Sequence, residues 1–128
     1  MRLLRRTFLL STLLLPFATA QAATRQTFDP AAFQQAQAAG KSIFVHVTAP
    51  WCPTCKRQKP IVAQFEQDAK FGELMIFEVD FDSQKDALQL LQVQAQSTMI
   101  AFKGKTETGR AVGITDPEQI EALMDKAL

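Results

Sequence analysis

Two cysteines, Cys52 and Cys55, are all that the 128-residue chain contains, alongside one tryptophan and one histidine. With no second cysteine pair a four-thiolate zinc site is excluded. With no His-rich or Met-rich run, a dedicated metal-handling module has little to build on. No internal repeat and no low-complexity linker breaks the chain into units. No apolar run is long enough for an ordinary membrane-spanning helix, since the best of them, Phe8 to Phe17, falls well short of the ~20 residues needed. An excess of positive charge is missing too. Once Arg2, Arg5 and Arg6 are set aside with the leader described next, 11 Lys and Arg face 13 Asp and Glu, a formal charge of −2 that implies no nucleic-acid partner.

Those three arginines, the apolar stretch after them, and the small residues Ala18-Thr19-Ala20 and Ala20-Gln21-Ala22 read as a cleaved export signal over residues 1 to 22. Arg5-Arg6-Thr7-Phe8-Leu9 also resembles the twin-arginine pattern, whereas the leucine-rich core suits a general secretory signal. Either route leads to the periplasm of a Gram-negative cell and leaves no membrane span in the mature chain. Residues 23 to 128 are enough for one small domain with its own core and too few for two, and a monomer is expected.

Within that domain everything is arranged around Trp51-Cys52-Pro53-Thr54-Cys55. The apolar run Ile43-Phe44-Val45-His46-Val47 leads into it as a central strand, and a helix-forming stretch, Lys56 to Phe71, follows. Two cysteines two residues apart at a helix start can close a disulfide within one turn. The free amide hydrogens and the positive dipole end there favour a thiolate on the first. Pro53 at the first helical position costs no hydrogen bond. This is what thiol–disulfide exchange needs; a structural disulfide or half of a metal site are the bland alternatives.

The remaining pattern alternates strands and helices. A strand is expected near Gln26 to Phe28, then a helix capped by Asp29, begun by Pro30 and closed by Gly40. Ile61, Val62 and Phe65 form the inner stripe of the helix after the cysteines, with Lys56, Arg57 and Lys59 on a solvated face. Leu74 to Phe81 reads as a strand, Lys85 to Gln94 as a helix with Leu88, Leu90 and Leu91 inward, Thr98 to Phe102 as a strand, and Glu107 to Val112 as an antiparallel edge. Asp116, Pro117 and Gln119 open a last helix whose Ile120, Leu123 and Met124 point inward. The expected class is α/β, with a central mixed sheet flanked by helices.

The motif, the strand before it, Pro60 five residues after Cys55, the segment Met99-Ile100-Ala101-Phe102-Lys103-Gly104 and Gly113 together resemble the thioredoxin superfamily over residues 26 to 128. The Pro-Thr pair between the cysteines resembles that of the thioredoxin-like reductants of bacterial cytochrome c maturation. The resemblance implies a thioredoxin-like fold and a thiol–disulfide oxidoreductase. Its reagent is the Cys52/Cys55 dithiol, with no cofactor beyond the redox-active disulfide and no metal. It implies a disulfide-containing protein as substrate and a separate electron donor, because extracytoplasmic compartments keep such pairs oxidised. Cys52, expected to be exposed, is the candidate attacker and Cys55 the resolver. Trp51 is expected to pack beside the thiol, with Pro53, Thr54, Ser97 and Thr98 flanking the site.

Two positions depart from the family. His46 stands where thioredoxins carry a buried acid, six residues before the first cysteine. It reads as a proton relay to Cys55, kept neutral by burial, as a protonated ring that stabilises the thiolates and makes the disulfide more oxidising, or as a core histidine bonded to backbone. Ser97 stands where they carry a cis-proline. A trans bond is expected there, since a cis one costs ~2.5–4 kcal/mol before a residue other than proline. Its hydroxyl is within the chemistry of a thiolate partner, and loss of the ring opens the site toward metal. The reading is an exported reductant of protein disulfides; the rivals are a dithiol oxidant, a copper- or metal-handling module using His46 or Met99, and a redox-inert adaptor.

Overall fold

The structure is a computed structural model that describes residues 16, 19 and 21–128. The export signal read over residues 1 to 22 lies almost wholly outside the described residues. From Ala23 onward the chain runs β1 (Thr24–Thr27), α1 (Pro30–Ala38), β2 (Ser42–Thr48), α2 (Pro53–Glu66), a 3-10 turn (Ala69–Phe71), β3 (Met75–Asp80), α3 (Lys85–Leu90), β4 (Thr98–Lys103), β5 (Thr106–Val112) and α4 (Pro117–Asp125).

The strands form one sheet in the order β1-β3-β2-β4-β5. β1 and β2 run parallel to β3, and β4 and β5 are antiparallel, so the sheet is mixed as expected. β2 lies in the middle and is buried from Ile43 to Thr48, which is why its sequence is apolar on both faces. Alternation sends Ile43, Val45 and Val47 to one side, where they meet Phe33 of α1, Leu88 of α3 and Phe77. Phe44 goes to the other side, against Val62 of α2 and Ile120 and Met124 of α4. Each large apolar side chain so buried stabilises the fold by about 1.5–3 kcal/mol. The helices are thereby pinned two to a face, and α2 is laid across the half of the sheet that carries His46.

Helix ends follow the capping residues. Asp29 accepts from the Ala32 amide at 2.8 Å and Asp116 from the Gln119 amide at 2.9 Å, each ahead of a proline at the first position. Three expectations need correction. α2 stops at Glu66 instead of running to Phe71, because Asp68 accepts from the Lys70 amide and starts a separate 3-10 turn. α3 is only six residues long, and Leu90 is 48% exposed. Two residues on from buried Leu88 is ~200° around a helix, the opposite face, while Leu91 returns inward. The first strand ends at Thr27, and Phe28 leaves it to join the aromatic cluster with Phe33 and Phe77.

Candidate active site

The site is assembled where β2 ends and α2 begins. Cys52 is the N-cap of α2 and Pro53 its first residue, so the helix start anticipated at the motif is present. Cys52 and Cys55 form a disulfide with their Cα atoms 5.3 Å apart. The Cys55 amide donates to Cys52 Sγ at 3.1 Å, so one of the orphan N–H groups of the helix is aimed at this sulfur.

Ser97 closes the pair from the β4 side. Its Oγ is 3.1 Å from Cys52 Sγ and 3.3 Å from Cys55 Sγ. Disulfide sulfurs carry no hydrogen, so the hydroxyl is the donor to both. Every peptide bond among the described residues is trans, Ser97 included, and Ser97 sits at φ 63°, a left-handed conformation that side chains other than glycine adopt at a cost of about 1 kcal/mol or more. Three hydrogen bonds hold it there: its N–H donates to the Val47 carbonyl at 2.9 Å, and its carbonyl accepts from Gly113 at 3.0 Å and from Gln58 Nε2 at 3.2 Å. Gly113 itself takes φ 75° at that junction. Thr98 is buried beside Ser97 and donates its hydroxyl to the Ala95 carbonyl at 2.7 Å.

One sequence expectation is corrected here. Cys52 is not exposed: it is 1% accessible and Cys55 is 0%, because Ala49, Phe81 and Ser97 enclose the disulfide. Trp51, next to Cys52 in the chain, is 56% exposed, and its indole N–H donates to Asp82 at 2.9 Å. Pro53 is exposed and Thr54 half-buried on the first turn. Lys56, Arg57 and Lys59 are solvent-facing, with Lys59 4.0 Å from Glu78.

His46 lies inside, fully buried on β2 between Glu78 of β3 and Met99 of β4. Burial, by stripping solvent from the charged form, pushes its pKa down from 6.5 to about 4; the hydrogen bond to Gln58 and the Glu78 carboxylate oppose that shift, and Arg25 and Lys59 add to it. It is therefore neutral at pH 7. Its Nε2 is 3.0 Å from Gln58 Oε1, so it is bonded to a side chain and not to backbone, and its Nδ1 has no hydrogen-bond partner.

Gln58 is the residue that sequence reasoning missed. It is fully buried and also donates to the Ile114 carbonyl at 2.9 Å. The signal was present in the spacing: Cys55, Gln58 and Val62 fall at i, i+3 and i+7, one inward stripe of α2. A polar side chain on that stripe needs partners, and it has three. Among the described residues no group of three or more His, Cys, Asp or Glu is placed to hold a metal ion, and Met99 is buried in the core on the far side of β2 from α3.

The thioredoxin family model matches residues 23–126. A thioredoxin H-type of Brassica oleracea is 33% identical over 91 residues, which is 71% of this chain and 72% of that protein. Thioredoxin-2 of Saccharomyces cerevisiae is 30% identical over 82 residues, 63% of this chain and 77% of that one. The crystal structure of Trxlp from Edwardsiella tarda superposes with a TM-score of 0.75 at 39% identity, covering 78% of this chain and 98% of that one. With the disulfide at the head of α2, the mixed five-stranded sheet and this match over nearly the whole domain, the chain belongs to the thioredoxin family and is a thiol–disulfide oxidoreductase.

Proposed function

We propose that this protein is exported to the periplasm and there reduces disulfides of other proteins through the Cys52/Cys55 dithiol. The observation that carries the reading is the placement of Cys52 Sγ: it caps α2, and both the Cys55 amide and the Ser97 hydroxyl point their hydrogens at it. Two donors at a helix start favour the thiolate. The Cys52 thiolate attacks a partner disulfide, forming a mixed disulfide and releasing one partner thiolate. Cys55 then attacks Cys52 Sγ; the Cys52–Cys55 bond forms, the mixed disulfide breaks, and the second partner thiolate leaves. Two electrons pass to the partner, whose two thiolates take up the proton given up by Cys55 and one from water. His46, neutral and with a free buried acceptor, takes the Cys55 proton in the second step. A separate dithiol or membrane donor returns the electrons. Export rests on the residue pattern of positions 1 to 22.

The rival at the same site is a dithiol oxidant, which the Ser97 hydroxyl favours by stabilising thiolates and the neutral imidazole disfavours by withholding a positive charge. The reduction potential of the mature protein against glutathione separates the two. A value well below the glutathione pool supports the reductant, and one near the strongest dithiol oxidants overturns it. Export is tested by fractionating cells that express the full chain: a shortened product in the periplasm is the expected result, and full-length protein confined to the cytoplasm refutes it.

A further inference from the structure

Gln58 commits every polar atom of a fully buried side chain to groups around the sulfurs. Both hydrogens of its Nε2 go to backbone carbonyls, Ser97 at 3.2 Å and Ile114 at 2.9 Å, which accept and have nothing to donate. Turning the amide over would set its oxygen against those two carbonyls. Its orientation is thereby decided, and Oε1 is the atom that faces His46 at 3.0 Å. An amide oxygen only accepts, so His46 Nε2 must carry the ring proton. A neutral ring protonated at Nε2 leaves a bare lone pair on Nδ1, the one buried side-chain polar atom among the described residues with no hydrogen-bond partner.

We propose that Gln58 is the positioning residue of this centre: it locks His46 in the Nε2–H tautomer, so that Nδ1 is the proton acceptor, and with the same amide it holds the Ser97 carbonyl so that the Ser97 hydroxyl stays on the two sulfurs. The inference rests on the dithiol reading above. No sulfur lies within hydrogen-bond reach of His46 Nδ1, so as Cys55 attacks the mixed disulfide its thiol proton passes to Nδ1 through a bridging water; the Cys52–Cys55 bond forms as the bond from Cys52 to the partner breaks, and the departing thiolate is protonated from water or from the imidazolium. The charged groups around the ring are Glu78 on β3, Arg25 on β1 and Lys59 on α2. Glu78 favours the imidazolium and the other two oppose it, so none of them sets the tautomer. That choice belongs to Gln58.

His46 is the chain's one histidine, so nitrogen-15 imidazole NMR of untagged mature protein reports on it without assignment. The expected wild-type spectrum at neutral pH has a protonated Nε2 and an unprotonated Nδ1; a protonated Nδ1 overturns the proposal. In Gln58→Leu the single tautomer is lost, and resolution of the mixed disulfide slows about ten-fold or more while its formation changes little. A retained tautomer, or equal slowing of both steps, refutes the assignment. Should that variant not fold, Gln58→Glu puts a carboxylate against Nε2, and the midpoint of imidazole protonation is expected to rise above about 6.5. An unchanged midpoint counts against a direct Gln58–His46 bond. The NMR measurement needs no partner protein, so a wild type that shows the expected tautomer yet reduces no disulfide sinks the reductase reading and not the role of Gln58.

Discussion

Acid should destabilise this protein through one residue before it reaches the carboxylates. In the unfolded chain His46 titrates near 6.5, whereas in the fold burial holds it near 4, so between those values the unfolded state binds a proton that the folded state refuses. Stability from this group is fully present above about pH 6.5, falls as pH drops, and stops falling once the folded imidazole itself protonates near pH 4. Integrated from about pH 7.5 to about pH 4.5, the loss is roughly 2 to 3 kcal/mol, a large share of the 5–15 kcal/mol typical of a domain. Asp80 does not confuse the window. Hydrogen bonds from the backbone of Ser83 and Asp82 hold its carboxyl below 3.8, so its contribution is present above that pH and lost only beneath it. The assay is urea unfolding of the oxidised protein at the two pH values, wild type beside His46→Gln. The variant starts less stable, because it disturbs the bond to Gln58, but its midpoint should move far less between the two conditions. Parallel loss in both proteins would mean that the imidazole is solvated or already charged at neutral pH, and the account of His46 as a neutral acceptor would fall.

Three further outcomes are expected. Cys52→Ser abolishes disulfide reduction and Cys55→Ser leaves a partner trapped on Cys52, read by mass spectrometry of the conjugate; capture on Cys55 instead reverses the roles. Removing the Ser97 hydroxyl as Ser97→Ala or Ser97→Gly shifts the pH midpoint of Cys52 alkylation upward by about one unit in both variants, although glycine relieves the φ of 63° and alanine does not. A shift confined to alanine assigns the effect to backbone strain. Reduced protein titrated with zinc against a chromogenic chelator binds far more weakly than a four-ligand site, since Cys52 and Cys55 are the only thiols and His46 Nε2 is occupied by Gln58; tight one-to-one binding would favour the metal-handling rival.

Much of the architecture was legible because it is written in local chemistry. Asp29-Pro30 and Asp116-Pro117 mark helix starts through groups within one turn, and they do so without help from the rest of the fold. Ile43 to Val47 announces a central strand because both its faces must be covered. Where the reading went wrong, a choice between distant partners was at stake. Leu90 looked like core by residue type, but the length and rotation of α3 decide its face. Cys52 looked exposed as the first cysteine of its motif, but Phe81 after β3 and Ser97 before β4 enclose its sulfur.

By itself, then, the sequence determined the dithiol and its place at the head of a helix, since Cys52-Pro53-Thr54-Cys55 needs only one turn of backbone to become a chemical unit. It also determined that a histidine and a serine stand at two positions where the family carries other chemistry. Which atoms those two residues meet was decided by tertiary structure alone. Ser97 reaches the sulfurs from 45 and 42 residues away along the chain, and Gln58, unremarkable as a letter between two basic residues, becomes the link between His46 and the Ser97 loop. Hydrogen-bond direction and burial depend on which atoms meet at about 3 Å, and only the packing of α2 against β2 and the loop before β4 brings them together.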